Sequence, residues 1–171
     1  TGVTAPAELR GKMLSDGGPV EGKVLTSAAS DQAARWQQGE RLDQLFEDLC
    51  DRVEAQIAVD ADDVVLSYLE LDGRANQLAR HLLSCGARPG DRIALLFDQP
   101  WRAYVAMLAV LKIHAAYVPL DAGFPSDRLK YIVEDADVAL VLSLSHLKDL
   151  LPEVAAATVC LDLVQEHVDA E

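Results

Sequence analysis

Residues 91–121, DRIALLFDQPWRAYVAMLAVLKIHAAYVPLD, constrain the fold more than any other stretch of the chain. Residues 92–97 are a short apolar run behind the turn Pro89-Gly90. Pro100 stands where a helix opens at its first position, and residues 116–120 are a second short apolar run. Strand, helix and strand in that order make a parallel crossover unit. Within the helix, Trp101, Tyr104, Val105, Leu108 and Ala109 share one stripe, yet Ala103, Ala106, Met107 and Val110 occupy the other side. Such a helix is buried on more than one face. One side meets the sheet, and the other needs a cover.

The flanking segments extend the same alternation. Leu42, Leu45, Phe46, Leu49 and Val53 give an amphipathic helix from residue 40 onward, with Asp43, Glu47, Asp48, Asp51 and Arg52 on its polar side. Residues 57–59 and 64–66 are β-prone runs around the turn Asp60-Ala61-Asp62-Asp63, which predicts a small hairpin. Ser67 and Glu70 have capping-box spacing. They start a helix whose inner stripe is Tyr68, Leu71, Ala75, Leu78, Ala79 and Leu82, with Asp72, Arg74, Gln77, Arg80 and His81 outside. Gly73 weakens that helix by up to about 1 kcal/mol relative to Ala. Gly86 stops it as a left-handed cap. After Ala122-Gly123-Phe124-Pro125, Ser126 caps a helix with Leu129, Ile132 and Val133 inward. A strand at 138–142, a short helix from Ser145 to near Pro152 and a strand at 158–161 complete the series. The expected fold class is α/β: an open, mainly parallel sheet with helices on both faces, plus the small hairpin. Residues 1–39, which carry Gly17-Gly18-Pro19 and no sustained period, read as a mobile or extended leader or linker, and 40–171 as the folded subdomain.

Charge excludes one class of partner. The net charge is −13, with no cluster of Lys or Arg, so the basic face that a nucleic-acid backbone requires is missing. No apolar run approaches the ~20 residues of a membrane span, and the N-terminus lacks a secretory pattern, so a cytoplasmic setting is expected. Cys50, Cys85 and Cys160 are far apart and lie within or at the end of apolar segments, which reads as buried free thiols.

In an open parallel sheet, ligands bind beyond the carboxyl ends of the strands, here the loops at Asp98-Gln99, Asp121-Ala122-Gly123 and residues 143–145. None carries a glycine-rich phosphate loop. His81, His114, His146 and His167 stand alone, without metal-ligand spacing, and read as surface or helix-end residues. No Ser sits in a nucleophile elbow. Lys112, near the end of the central helix, suits dipole compensation or an ion pair. These readings name no catalytic, cofactor-binding or metal-binding residue.

Four segments in order resemble the beginning of the amino-acid adenylation domains of nonribosomal peptide synthetases, within the acyl-adenylate-forming ligase superfamily. Leu66-Ser67-Tyr68-Leu69-Glu70-Leu71 resembles the first core motif. Arg74-Ala75-Asn76-Gln77-Leu78-Ala79 with Arg88-Pro89-Gly90-Asp91-Arg92 follows. Leu111-Lys112-Ile113-His114-Ala115-Ala116-Tyr117-Val118-Pro119-Leu120-Asp121 resembles the second core motif, and Phe124-Pro125-Ser126-Asp127-Arg128-Leu129 is the last segment. His114 stands where that family usually has Gly, and Ala122 where Pro is common; a missing Gly bears on the local backbone.

The resemblance implies that Leu66, Ser67, Tyr68, Glu70, Leu71, Leu111, Lys112, Tyr117, Pro119 and Asp121 have structural roles. It implies a parent that uses ATP and Mg²⁺ to convert an amino acid to an aminoacyl-adenylate and loads it onto a phosphopantetheine carrier domain. The cationic groups for that phosphate chemistry lie later in the family's sequence, so an inactive fragment that binds no cofactor alone is expected. Its partners are then the remainder of the domain and the carrier. In the fragment the second face of helix 100–113 would be open, which predicts self-association or a leader folded over it. The alternative is a free-standing interaction module that uses that face to bind a partner chain.

Overall fold

The computed structural model describes residues 41–61 and 64–164. The expected leader at 1–39 lies outside them. Helix α1 (Leu42–Val53) leads to the hairpin β1 (Ile57–Ala61) and β2 (Val64–Ser67), then to α2 (Tyr68–Ser84). The alternating series follows: β3 (Arg92–Leu96), α3 (Pro100–Lys112), β4 (Ala116–Leu120), α4 (Ser126–Asp135), β5 (Leu140–Ser143), a 3₁₀ turn (Ser145–Leu150) and β6 (Ala157–Cys160). The hairpin is antiparallel with an irregular register between Ile57 and Val59. The four-stranded sheet is parallel in the order β4-β3-β5-β6.

That order sets the layers. The step from β3 to β4 and the step from β4 back across β3 to β5 run in opposite directions. Right-handed crossovers therefore place α3 on one face, and α4 with the 3₁₀ turn on the other. The middle strands are buried throughout, at Ile93 to Leu96 in β3 and Leu140 to Ser143 in β5, as expected of a sheet covered on both sides. Pro119 sits in β4, level with Leu95, on an edge strand where the missing N–H need not break a ladder.

The predicted capping box forms: Ser67 Oγ accepts the Glu70 N–H at 3.2 Å, and the Glu70 carboxylate accepts the Ser67 N–H at 2.8 Å. The Ser67 N–H and the Ser67 hydroxyl, each donating to that carboxylate at 2.8 Å, hold the Glu70 carboxyl below its ordinary range. Helices α2, α3 and α4 all end alike. Gly86, His114 and Asp137 have φ of +93°, +62° and +47°. In each case the next N–H, of Ala87, Ala115 or Val138, reaches back five residues to the carbonyl of Leu82, Val110 or Val133 at 3.0–3.1 Å. The departure at His114 thus falls on a left-handed position, where a side chain is disfavoured by roughly 1–2 kcal/mol. His114→Gly relieves that strain but removes the ring's contact with the Arg41 guanidinium, 3.0 Å from Nδ1, so the two effects are expected to offset and leave the urea midpoint within about 0.5 kcal/mol of wild type. The same cap displaces the fifth strand: Val138 belongs to the turn, and β5 starts at Leu140, two residues after the predicted start.

Several faces differ from the periodic reading. The second face of α3 is not open, because α2, α1 and the hairpin lie on it. Val105, Ala106, Ala109 and Val110 are buried. Tyr104, expected on the inner stripe, is 47% exposed. The apolar surface that would drive self-association, or serve the alternative module, is thereby largely covered. On α1, Leu42 is exposed while Asp43 is buried, because Arg41 Nε donates to Asp43 Oδ1 at 3.0 Å and neutralises it. His81 is buried rather than outward, and Cys85 is exposed rather than buried. No helix among the described residues is long and apolar enough to cross a membrane.

Candidate functional site

The first core motif is the junction between hairpin and helix. Leu66 is 1% exposed and lies level with Val59, while Leu71 is buried one turn into α2. The Tyr68 N–H donates to the Gln56 carbonyl at 2.9 Å, and the ring tilts against Phe46 with centroids 6.0 Å apart. The Tyr68 carbonyl accepts from Cys50 Sγ at 3.6 Å. Burial raises the Cys50 thiol above its ordinary value, as it does for Cys160.

The second motif joins α3 to β4. The Leu111 carbonyl accepts the His114 N–H of the helix cap at 2.9 Å. Tyr117 lies level with Ile93 in the ladder. Asp121 turns the chain after β4, its Oδ1 accepting the Gly123 N–H at 2.8 Å. Lys112 ties the second motif to α2 and α1. Its side chain is 6% exposed, with Nζ 2.9 Å from Asp72 Oδ1 on α2 and in contact with Glu47 on α1. Asp72 Oδ2 also accepts from Asn76 at 2.7 Å. Burial alone would lower the Lys112 pKa, but the hydrogen bonds that its ammonium donates to Glu47 and Asp72 outweigh it and hold it above its ordinary value. The expected ion pair is present, as a three-helix clamp.

Beyond the carboxyl ends of the strands, the connections after β3 and β5 leave toward opposite faces, which makes the crevice between them the topological switch point. Two loops meet there. His146 Nε2 lies 2.7 Å from Asp98 Oδ2, a pairing that neither local spacing nor periodicity reveals, although both loops are the ones expected to carry a site. Ser145 is tied to Asp162 beyond β6: its N–H donates to Oδ1 at 2.8 Å and its hydroxyl contacts Oδ2. Desolvation pushes the Asp162 carboxyl up, but these bonds dominate and hold it below its ordinary value.

Beside this crevice, Arg74 and Arg102 lie over the Trp101 ring at 5.2 and 4.4 Å, and Arg102 Nε donates to Gln99 at 2.6 Å. A cleft of about 480 Å³ opens between the hairpin and the start of α3, with Asp60, Asp98, Trp101 and Tyr104 on its walls. Trp101 Nε1 is buried without a hydrogen-bond partner among the described residues.

These groups do not fit a nucleoside triphosphate or its magnesium. Lys112 is engaged with two carboxylates, the cleft presents acids rather than cations, and the described residues contain no group of three or more side chains able to hold a metal. Of the core-motif residues, Ser67 and Glu70 lie in the helix cap, Leu66 and Leu71 in the core and Lys112 in the clamp.

Residues 46–171 match the family of AMP-binding enzymes. Tyrocidine synthase 3 of Brevibacillus parabrevis is 36% identical over 149 residues, 86% of this chain and 2% of that protein. Gramicidin S synthase 2 of Aneurinibacillus migulanus is 33% identical over 132 residues, 77% of this chain and 3% of the relative. The chain therefore spans a small part of the length of these relatives. Among solved structures, the nonribosomal peptide synthetase FmoA3 superposes with a TM-score of 0.67 at 30% identity, covering 72% of this chain and 13% of that one. NpsA-ThdA of Klebsiella oxytoca, an artificially fused adenylation–PCP di-domain, has a TM-score of 0.69 at 23% identity, covering 76% and 24%, and supports the fold. The order of the core motifs and this fold agree with the match: the chain belongs to the family of AMP-binding enzymes and corresponds to the N-terminal portion of a nonribosomal peptide synthetase adenylation domain.

Proposed function

We propose that this chain is the scaffold part of an enzyme that activates an amino acid with ATP to an aminoacyl-adenylate and pyrophosphate, then passes the aminoacyl group to the phosphopantetheine thiol of a carrier domain. The observation that carries the reading is the match of residues 46–171 with AMP-binding enzymes, in a chain whose relatives are peptide synthases. In this reading ATP, Mg²⁺ and the carrier are engaged by other parts of a cytoplasmic parent. In this reading the chain alone is inactive: the buried Lys112 is committed to Asp72 and Glu47, and the cleft beside the switch point carries Asp60 and Asp98 on its walls. The interaction-module alternative is weakened by the cover that α2 places on α3.

Amino-acid-dependent ATP–pyrophosphate exchange tests the proposal, run in parallel on this chain and on a longer polypeptide that adds the downstream reading frame. Exchange in the longer protein alone is the expected result, and the responding amino acid identifies the substrate. A folded longer protein silent across a full amino-acid panel would overturn it.

A further inference from the structure

The cleft of about 480 Å³ between the hairpin and the start of α3 has polar groups on its walls that the fold leaves unanswered. It opens beyond the carboxyl end of β3, where open parallel sheets place their ligands, and its volume is that of a small-molecule site. Asp60 of β1 is exposed, and its carboxylate has no hydrogen bond or ion pair among the described residues. Asp98 commits Oδ2 to His146 and leaves Oδ1 unengaged among the same residues. Trp101 Nε1 is shut off from solvent without an acceptor, a state in which folded proteins rarely leave a donor.

These groups define a ligand. The two carboxylates call for a cation, and the indole N–H calls for an oxygen. That oxygen is favoured by the N-terminal end of α3, which borders the cleft at Pro100. A carboxylate oxygen would bring negative charge against Asp60 and Asp98, so a neutral carbonyl fits better. The Trp101 ring is already covered by the guanidiniums of Arg74 and Arg102. Tyr104, 47% exposed, supplies the open aromatic surface.

We propose that this cleft binds small aminoacyl amides, compounds with a protonated amine one carbon away from a neutral carbonyl. The ammonium pairs with Asp60 and Asp98, the carbonyl accepts from Trp101 Nε1, and the side chain lies on Tyr104. Binding there is independent of adenylation, and no bond is made or broken.

The test uses the full chain and phenylalaninamide at about pH 6.5, where its amine is protonated. The readout is the indole N–H resonance of Trp101, assigned with Trp36→Phe because the chain has two tryptophans. A saturable shift with a Kd of roughly 1–10 mM is expected, as suits a ligand of this size. Phenylalanine, which adds the carboxylate, should bind at least about tenfold more weakly. Asp60→Asn should weaken phenylalaninamide about fivefold, and Asp127→Asn, on the exposed first turn of α4, should leave it unchanged. The proposal is overturned by any one of four results. They are no saturable shift up to about 50 mM, equal affinity for phenylalanine, unchanged affinity in Asp60→Asn, or equal weakening in Asp127→Asn, which would show general attraction to an acidic chain.

Discussion

Lys112→Met is expected to destabilise the chain by about 3 kcal/mol, lowering the melting temperature by roughly 10 °C. The methionine keeps most of the volume of the aliphatic stem, so the loss is electrostatic rather than a cavity. The ammonium is 6% exposed and faces Asp72, whose side chain is 17% exposed, and Glu47, which is 50% exposed. When the cation is removed, Glu47 can turn to water; Asp72 stays between α2 and α3 with an uncompensated charge. Adding Asp72→Asn to Lys112→Met should therefore recover about 1–2 kcal/mol, a coupling that a double-mutant cycle in urea measures directly. Equal losses in the single and double variants would mean that packing, not charge, dominates. The pH dependence has a definite sign. The folded-state pKa of Lys112 is above its ordinary 10.5, so protonation favours the folded chain; this contribution is complete below pH 10.5 and is lost as pH rises through the folded value. Denaturation curves of wild type and Lys112→Met should converge in that alkaline range.

The legible parts of the fold are those whose signals are local. Ser67 and Glu70 are three residues apart and need only each other to form the cap; Gly86 announces its own backbone; the apolar runs of β3 and β4 and the α3 between them state the crossover. The resemblance of the core motifs to adenylation domains is likewise readable, because ordered short segments carry more information than any one of them. Other features depend on partners far along the chain. Asp43 reads as solvent-facing on a helical wheel and is buried because Arg41 covers it. His81 reads the same way until the Cys85 thiol is seen beside it. Nothing near His146 names Asp98 as its partner; only the sheet order β4-β3-β5-β6, which puts the β3 and β5 loops side by side, brings them together. Periodicity also assigns α3 two buried sides without saying what covers the second, and here the cover lies upstream in sequence, in α2.

The first core motif makes a second demand on the core. Leu66→Ala is expected to cost about 3 kcal/mol, within the range seen when a fully buried leucine is truncated and the site collapses incompletely. Leu66 is 1% exposed and sits across from Val59 on the inner side of the hairpin, so its loss opens a void between the hairpin and α2. Val65, the preceding residue, is 55% exposed on the opposite side of the strand, and Val65→Ala should change stability by no more than about 0.5 kcal/mol. The contrast between neighbours separates a packing role from simple β propensity, because a propensity effect would appear at both. The capping box lies within residues 67–70 and should survive, so helical circular dichroism at low temperature is expected to be retained while the urea midpoint falls. A Leu66→Ala chain as stable as wild type would mean that the leucine of this motif is not there for the core. The structural account of the motif would then have to give way to a role in contact with other parts of the enzyme.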